Sequence, residues 1–161
     1  MKPRTVLRPR QAFFAQPRRD TALTFLASIV ESCEDAIIGK SLDGTVVTWN
    51  AAAERLYGYT AREMIGRSIA VLIPRYRPEE LSDILDQIKR GQKVDQLETV
   101  RIRKDGVPVE VSVTISPIKD ARGRIIGAST VARDISARKE EENERLGLIE
   151  DLTAALAHIR D

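Results

Sequence analysis

The stretch TVVTWNAAAERLYGYTAREMIG, residues 45–66, changes from a β-branched run to two helix starts with almost no loop between them. Asn50 follows the strand-like run at the position of a helix N-cap, because its side chain can accept a hydrogen bond from the first helical turn. Thr60 and Glu63 have the spacing of a capping box, which predicts a second short helix. The stretch therefore predicts a strand that ends at Trp49, followed by short capped helices that carry the chain sideways over a sheet.

Strand patterns flank this stretch on both sides. Before it, AIIGKSLDGTVVTW (36–49) contains two β-prone runs around an Asp-Gly pair, which is a strong hairpin signal. After it, apolar and polar residues alternate in VPVEVSVTISPI (107–118), as is typical of a strand with one buried face. The turn sequences RKDGVP and DARGRI join this strand to runs at about 96–104 and 124–134. Five strands are therefore predicted.

Helical patterns lie between these strands and at both ends. A helix is predicted over 78–90, with Pro78 in its first turn and basic residues at its end. An amphipathic leading helix is predicted over 21–32. The last segment, 137–161, is charged and helix-prone, and its apolar residues fit either a short coiled coil or packing onto the domain. These apolar residues are Ile149, Leu152, Leu156 and Ile159.

The order of these elements predicts an α+β fold, a five-stranded antiparallel sheet with helices on one face. Family motifs occur together and in order: DG before the second strand, WN, AAERLYGYT, IG, LIP, KDG and the closing RDIS. Over residues 22–136 the sequence thus resembles the PAS sensor domain family, including the input domains of bacterial sensor kinases. The resemblance implies strand order 2-1-5-4-3 and a pocket between the sheet and the short helices. It also implies that Asp134, Ile135 and Ser136 couple the sheet to the outgoing helix.

The chain divides into a basic N-terminal arm (1–20), a PAS domain with its leading helix (21–136) and a C-terminal signalling helix (137–161). The function implied is a sensory module that detects a small ligand or redox cofactor. The module would relay the signal through a dimeric C-terminal helix to an effector domain or kinase. Two alternatives stay open: a ligand-free PAS module for dimerisation or protein interaction, and a histidine kinase fragment with His158 as phosphoacceptor.

The resemblance and the parity of the strands together indicate which side chains face the pocket. Because pockets are mostly apolar with a few polar anchors, most of these candidates are apolar. The predicted pocket residues are Trp49, Asn50, Leu56, Tyr57, Met64, Ile65, Leu72, Ile84, Ile88, Val111, Val113 and Ile115.

Candidate cofactors are narrowed by the residues that each would need. Haem held by histidine is not favoured, because residues 78–90 contain no histidine and the only histidine in the chain is His158. The light-sensing branch of the family has a reactive cysteine where this chain has GRSIAVLIPRY, which excludes thiol photochemistry. Redox-sensing members hold flavin without that cysteine, and Trp49 with Asn50 resembles their sequences, so flavin stays open.

Composition limits the remaining functions of the 161-residue chain. Its single cysteine excludes an internal disulfide and fits a cytoplasmic location, and no zinc-type Cys/His spacing occurs. No apolar run is long enough to span a membrane. The sequence has neither a phosphate-binding loop nor a serine-hydrolase motif, so neither an enzyme nor a metal site is expected. The basic arm is expected to be a flexible or partner-docked extension, and no nucleic-acid binding is predicted for the domain.

Overall fold

The computed structural model describes residues 18–159. The predicted arm over 1–20 therefore lies outside the described residues except at its end, where α1 begins at Arg19. The elements follow in this order: α1 (Arg19–Ser32), β1 (Ala36–Ser41), β2 (Val46–Trp49), α2 (Ala51–Tyr57), α3 (Ala61–Met64), a 3₁₀ turn (Ile69–Leu72), α4 (Glu80–Lys89), β3 (Val94–Ile102), β4 (Pro108–Lys119), β5 (Ile125–Asp134) and α5 (Ser136–His158).

The five strands form an antiparallel sheet in the order β2-β1-β5-β4-β3. This confirms the predicted α+β fold and its strand order. The β1–β2 hairpin closes as the Asp-Gly pair predicts, because the N–H of Gly44 donates to the carbonyl of Ser41 over 3.0 Å. Gly44 has a φ of 85°, a left-handed conformation that glycine adopts without steric cost.

Short capped helices carry the chain from β2 across the sheet, as predicted. Oδ1 of Asn50 accepts a hydrogen bond from the N–H of Ala53 over 3.0 Å at the start of α2. Thr60 and Glu63 form the capping box of α3, in which each side chain accepts from the other residue's N–H. Each helix is therefore stabilised at its own start, which allows the helices to be only a turn or two long.

Helix α4 begins two residues later than predicted. Pro78 lies in the turn before it, and the N–H of Glu80 donates to the carbonyl of Arg77 over 3.2 Å in that turn. Ile84, Leu85 and Ile88 are buried, so the predicted apolar face of this helix packs against the domain.

The core lies between the helices and one face of the sheet. Strand β4 alternates as predicted, with Val109, Val111, Val113 and Ile115 buried. The matching inward residues of β5 are Ala128, Thr130 and Ala132. The opposite face of the sheet carries polar side chains, among them Ser112 and Thr114 of β4, and it forms an open surface groove.

The two terminal helices leave their apolar residues uncovered. No residue of α1 or of the described part of α5 is buried. The exposed apolar side chains on α1 are Leu23, Phe25, Leu26 and Ile29, and those on and just after α5 are Leu146, Leu148, Ile149, Leu152, Leu156 and Ile159. Over residues 18–159, no helix has the length and apolar character needed to cross a bilayer.

Candidate functional site

A small internal cavity of about 20 Å³ lies over the centre of the sheet. Strands β1, β3, β4 and β5 form its floor, and α2, the 3₁₀ turn and α4 cover it. Its lining residues are Ile38, Lys40, Tyr57, Ile69, Leu72, Ile73, Leu81, Ile84, Arg101, Val113, Ile115 and Thr130. The cavity is therefore mostly apolar, with four polar side chains in its wall.

Two cations reach this cavity from opposite ends of its floor. Lys40 belongs to β1 and Arg101 to β3, and strands β5 and β4 lie between them in the sheet. Lys40 is only 5% exposed and Arg101 only 6% exposed. Burying a charge costs free energy unless it is paired, so the partners of these two groups determine what the cavity can do.

Arg101 has a carboxylate partner. Its Nη1 donates to Oε1 of Glu80 over 2.8 Å and to the carbonyl of Val100 over 2.9 Å. Glu80 also accepts from the hydroxyl of Thr99, which in turn accepts from Nη1 of Arg77 over 2.8 Å. Arg77, Glu80 and Thr99 of this network also line an open surface groove at the N-terminal end of α4.

Lys40 has no such partner. Among residues 18–159, no hydrogen bond or ion pair to its ammonium is formed, although Arg101 on the same cavity has one. Burial lowers the pKa of Lys40 to about 8, and repulsion from Arg101 acts in the same direction. The ammonium nitrogen itself is not among the fully buried atoms that lack a partner in the described chain, so it keeps some contact with solvent.

Tyr57 and Thr130 are the uncharged polar groups of the cavity. Burial raises the pKa of the Tyr57 phenol to about 12, so this hydroxyl is a neutral donor at physiological pH. Oγ1 of Thr130 is fully buried and has no hydrogen-bond partner in the described chain. Buried polar atoms are normally satisfied, so the hydroxyl of Thr130 is a buried group of the cavity whose partner is missing.

A bulge in β3 turns Arg101 inward. Val94 pairs with Ile115 and Leu97 pairs with Val113, so three steps on β3 match two on β4. The bulge contains Gln96, whose φ is 46°. The N–H of Gln96 donates to Oγ1 of Thr114 over 3.2 Å. Beyond the bulge, the inward positions of β3 have shifted by one.

The structure brings only part of the predicted pocket together. Tyr57, Leu72, Ile84, Val113 and Ile115 line the cavity. Met64, Ile88 and Val111 are fully buried but belong to the solid core around it.

Two apolar residues that were predicted to line the pocket lie elsewhere. Ile65 is 51% exposed, because α3 is a single turn whose inward position is already occupied by Met64. Leu56 is half-buried at the edge of the core and faces a surface groove shared with Arg103, not the cavity.

Trp49 and Asn50 are buried but are used by the fold. Nε1 of Trp49 donates to the carbonyl of Tyr59 over 3.0 Å, and its ring lies 5.6 Å from that of Tyr57. Asn50 accepts through Oδ1 from Ile37 and Ala53 and donates through Nδ2 to two carbonyls. Its hydrogen-bonding capacity is therefore filled, and it cannot serve as the ligand anchor that was predicted.

Sequence reasoning missed seven of the lining residues. They are Ile38, Lys40, Ile69, Ile73, Leu81, Arg101 and Thr130. One signal for Lys40 was present, because Ile38 and Lys40 must face the same side of an extended strand. Leu81 was assigned to the buried face of α4 but not to the pocket.

The exit from the domain is held by charged side chains. Oδ1 of Asp134 accepts from the N–H of Ser136 over 2.8 Å, which caps the first turn of α5. Ile135 is buried, and its N–H donates to the carbonyl of Glu110 over 3.0 Å. Asp134 was expected to cap or to pair with an arginine, and the neighbouring Arg133 instead pairs with Asp35 over 2.8 Å.

Strand β3 also binds the start of α5 through ion pairs. Glu98 forms ion pairs with Arg138 and with Lys139, the latter over 2.8 Å. Hydrogen bonds from Lys139 and Arg138 lower the pKa of Glu98 below its usual value. The first turns of α5 are thereby tied to a strand that also lines the cavity.

The cavity does not fit a flavin as it is packed. A volume of about 20 Å³ holds roughly one water molecule, far less than an isoalloxazine ring requires. Cys33 lies between α1 and β1 and is not among the lining residues. His158 lies exposed on α5, far along the chain from α4, the helix that would have to supply a haem ligand. Within residues 18–159, no group of three His, Cys, Asp or Glu side chains could hold a metal.

An antiparallel sheet that encloses a small, mostly apolar cavity under short helices and runs directly into a long exposed helix defines a class of small sensor-type domain. A family model described as PAS domain matches residues 34–137, more than half of the chain. The chain belongs to the PAS domain family, as its motifs predicted.

Two curated relatives are sensor proteins. The chain is 34% identical over 149 residues to the signal transduction histidine-protein kinase AtoS of Escherichia coli, covering 89% of the chain and 24% of the relative. It is 30% identical over 171 residues to the C4-dicarboxylate transport sensor protein DctS of Rhodobacter capsulatus, covering 96% of the chain and 25% of the relative. The chain thus spans about a quarter of the length of each relative.

Solved structures share the fold. A PAS domain from Colwellia psychrerythraea matches with a TM-score of 0.66 and 26% identity, over 72% of this chain and 98% of that one. An RNA-binding light-oxygen-voltage receptor matches with a TM-score of 0.69 and 27% identity, over 94% of this chain and 43% of that one.

Proposed function

We propose that this chain is a sensory input module without catalysis of its own, which takes a small ligand into the cavity and relays its presence through α5. The observation that carries this proposal is a cavity lined by Arg101 on β3 and Thr130 on β5, the two strands whose Glu98 and Asp134 contact the outgoing helix. Two sensor relatives, one of them named as a histidine-protein kinase, support the sensory role.

The proposed relay runs along two short strand segments. On β3, Arg101 faces the cavity and Glu98, three residues earlier, binds the first turns of α5. On β5, Thr130 faces the cavity and Asp134 caps α5 four residues later. A ligand that shifts either strand would therefore move a group that positions α5.

The proposed output is a homodimer that passes the change to an effector domain or kinase in the cytoplasm. The support is the uncovered apolar stripes of α1 and α5, which neither helix buries within the described chain. Apolar patches of this kind mark association sites in proteins that are not embedded in membranes. Sedimentation analysis of the purified chain should give a dimer, and a monomer at every concentration would contradict this part of the proposal.

Three alternative functions would each require different features of the structure. Flavin would require a much larger cavity, so no step is assigned to it, although a light-oxygen-voltage domain studied with a flavin analogue shares the fold. A ligand-free dimerisation module is favoured by the small cavity but leaves the unpartnered hydroxyl of Thr130 unexplained. A role for His158 as phosphoacceptor is supported by its exposure on α5, whereas Ile159 stands where that motif has an acidic residue.

The test is ligand-dependent protection of α5. We would record thermal shifts with indole, acetate and flavin mononucleotide, and then hydrogen exchange of α5 amides with any compound that raises the midpoint. The proposal predicts at least one stabilising compound that also changes exchange in the first turns of α5. In Val113→Phe, which fills the cavity floor, the response should disappear. If no compound stabilises the wild type, the ligand-free dimerisation module is the better description.

A further inference from the structure

We infer that the cavity over the sheet is a binding site for one ordered water molecule, which is hydrogen-bonded to the hydroxyl of Thr130. Three observations carry this inference: the volume of the cavity, the unpartnered hydroxyl, and the mixture of donors and acceptors in the wall. The inference goes beyond the proposed sensory function and does not depend on it, because the same water would be bound in a module that only dimerises.

The volume of the cavity matches a single water molecule. It is about 20 Å³, whereas one water requires about 10–15 Å³. A molecule of several heavy atoms would exceed this volume unless the covering helices moved. Volume alone does not decide the matter, because a cavity lined only by hydrocarbon stays dry, whereas a polar one of the same size binds water. The polar groups of the wall therefore decide it.

The hydroxyl of Thr130 provides the anchor. Among residues 18–159, the fully buried side-chain atoms without a hydrogen-bond partner are Nε of Arg103 and Oγ1 of Thr130. Of these two residues only Thr130 lines the cavity, and it is 7% exposed. Buried hydroxyls are normally satisfied, either by the protein or by an ordered water. Since no group of the described chain binds Oγ1, a water in the cavity is the partner that remains.

The wall can supply the other hydrogen bonds of a buried water, which makes about three in all. Tyr57 and Lys40 line the same cavity, and Lys40 lies diagonally from Thr130 on the inward face of the sheet, because the direct partner of Thr130 on β1 is Ile38. The ammonium of Lys40 can only donate, whereas the two hydroxyls can donate and accept. A neutral water can accept from the ammonium and donate to the hydroxyl oxygens.

The apolar part of the wall confines this water. Ile38, Leu72, Ile84 and Val113 offer no hydrogen bonds, so the favourable position lies beside the polar groups. The water is covered by α2, the 3₁₀ turn and α4, and it can leave only when these elements open locally. It should therefore exchange with bulk solvent far more slowly than a surface water does.

The experiment counts slowly exchanging waters in solutions of the full chain by magnetic relaxation dispersion of isotopically enriched water oxygen. Because this method detects the oxygen nucleus, exchange of the hydroxyl protons of Thr130 or Tyr57 does not imitate a bound water. Thr130→Val keeps the shape of the side chain and removes the hydroxyl. This variant should contain one slowly exchanging water fewer than the wild type.

Two further variants locate the effect. Ser129→Ala is the matched control, because it removes a hydroxyl from the preceding residue of β5, whose side chain points to the opposite face of the sheet. It should leave the count unchanged. Thr130→Ser keeps the hydroxyl and should keep the water. In the wild type, nuclear Overhauser contacts should join this water to methyl groups of Ile38 and Val113, and Thr130→Val should lose them.

The inference is overturned if Thr130→Val leaves the count unchanged, if Ser129→Ala lowers it as much, or if Thr130→Ser loses the water. Should Thr130→Val fail to fold, the wild type decides, since the absence of water contacts to the methyl groups of Ile38 and Val113 would itself overturn the inference. The proposed function is judged separately by the ligand screen and the exchange of α5 amides. A failed screen therefore leaves the water site standing, and a missing water leaves the sensory proposal standing.

Discussion

The side-chain amide of Asn50 donates a hydrogen bond to the main-chain carbonyl of Val30 over 2.9 Å, which ties the last turn of α1 to the start of α2. The same amide donates to the carbonyl of Asp35 over 3.1 Å, and Oδ1 accepts from the N–H of Ile37 over 2.9 Å. One buried side chain therefore joins the leading helix, the first strand and the first capped helix.

Asn50→Ala should lower the free energy of unfolding by about 2–4 kcal/mol, because it leaves several buried backbone groups without partners. Urea denaturation measures the change. The matched control is Asn143→Ala on the exposed face of α5, which should change stability by no more than about 0.5 kcal/mol. Similar values for the two variants would show that the network around Asn50 contributes little.

Lys40→Met should stabilise the protein by about 2–3 kcal/mol at neutral pH. The reason is that burial lowers the pKa of Lys40 from 10.5 to about 8, so the folded state carries the charge at a cost. Chemical denaturation of the wild type, Lys40→Met and the exposed control Lys119→Met measures this difference. An unchanged or lower stability of Lys40→Met alone would mean that the ammonium is compensated.

The pH dependence provides an independent check. Above about pH 8 the folded protein releases the Lys40 proton while the unfolded chain keeps it up to 10.5, so wild-type stability should rise with pH relative to Lys40→Met. The other groups facing Lys40 are Arg101, Glu80 behind it, and Tyr57. Since the pKa of Tyr57 is raised from 10.0 to about 12 and acts in the opposite direction above 10, the comparison belongs between pH 8 and 10.

Gln96→Gly should raise the free energy of unfolding by about 0.5–1 kcal/mol. Gln96 holds a φ of 46° in the β3 bulge, a conformation that costs a residue with a Cβ but not glycine. Gln96→Ala removes the same side chain and keeps the Cβ, so it should show no such gain. Thermal denaturation of the pair is sufficient, and equal midpoints would argue that the bulge is unstrained.

Glu98→Gln should increase hydrogen exchange at the amides of residues 139–142 while leaving the sheet unchanged, because Arg138 and Lys139 lose their partner on β3. The matched control is Glu142→Gln, which removes a carboxylate that pairs with Arg138 within the helix over 3.3 Å. Equal effects of the two variants would show that β3 does not hold α5.

Acid should reproduce the effect of Glu98→Gln. The pKa of Glu98 is lowered from 4.5 by its two partners, so the tie is present above that value and is lost as the pH falls through the lower, folded-state pKa. Exchange at the same α5 amides, corrected for its intrinsic pH dependence, should therefore rise in the wild type but not in Glu98→Gln.

Local signals predicted the fold because each acts within a few residues. The cap at Asn50, the capping box at Thr60 and the alternation of β4 all depend on neighbouring side chains and the local backbone. The cavity was predicted less well, because it depends on which face each strand turns inward. A rule that assigns apolar residues to the interior predicted that Ile65 would line the pocket and that Lys40 would not. The alternation of β1 nevertheless places Lys40 on the same face as the buried Ile38.

No rule of this kind predicts that Arg101 faces the cavity. An unbroken alternation from Val94 would turn Val100 and Ile102 inward, and their apolar character would agree with that assignment. The bulge instead places Thr99 and Arg101 inside and leaves Val100 and Ile102 half-buried on the other face. A bulge of one residue leaves almost no mark in the composition of a strand, so the sequence pattern favoured the wrong face.

The bulge at Gln96 makes the chemistry of the interior depend on residue count. Deleting one residue there would restore the regular alternation and exchange the two faces of β3 beyond it. Val100 and Ile102 would then turn toward the cavity in place of Thr99 and Arg101, with no side chain substituted. A single-codon deletion would thus remove one of the two cations that line the cavity and leave Lys40 on β1 as the other.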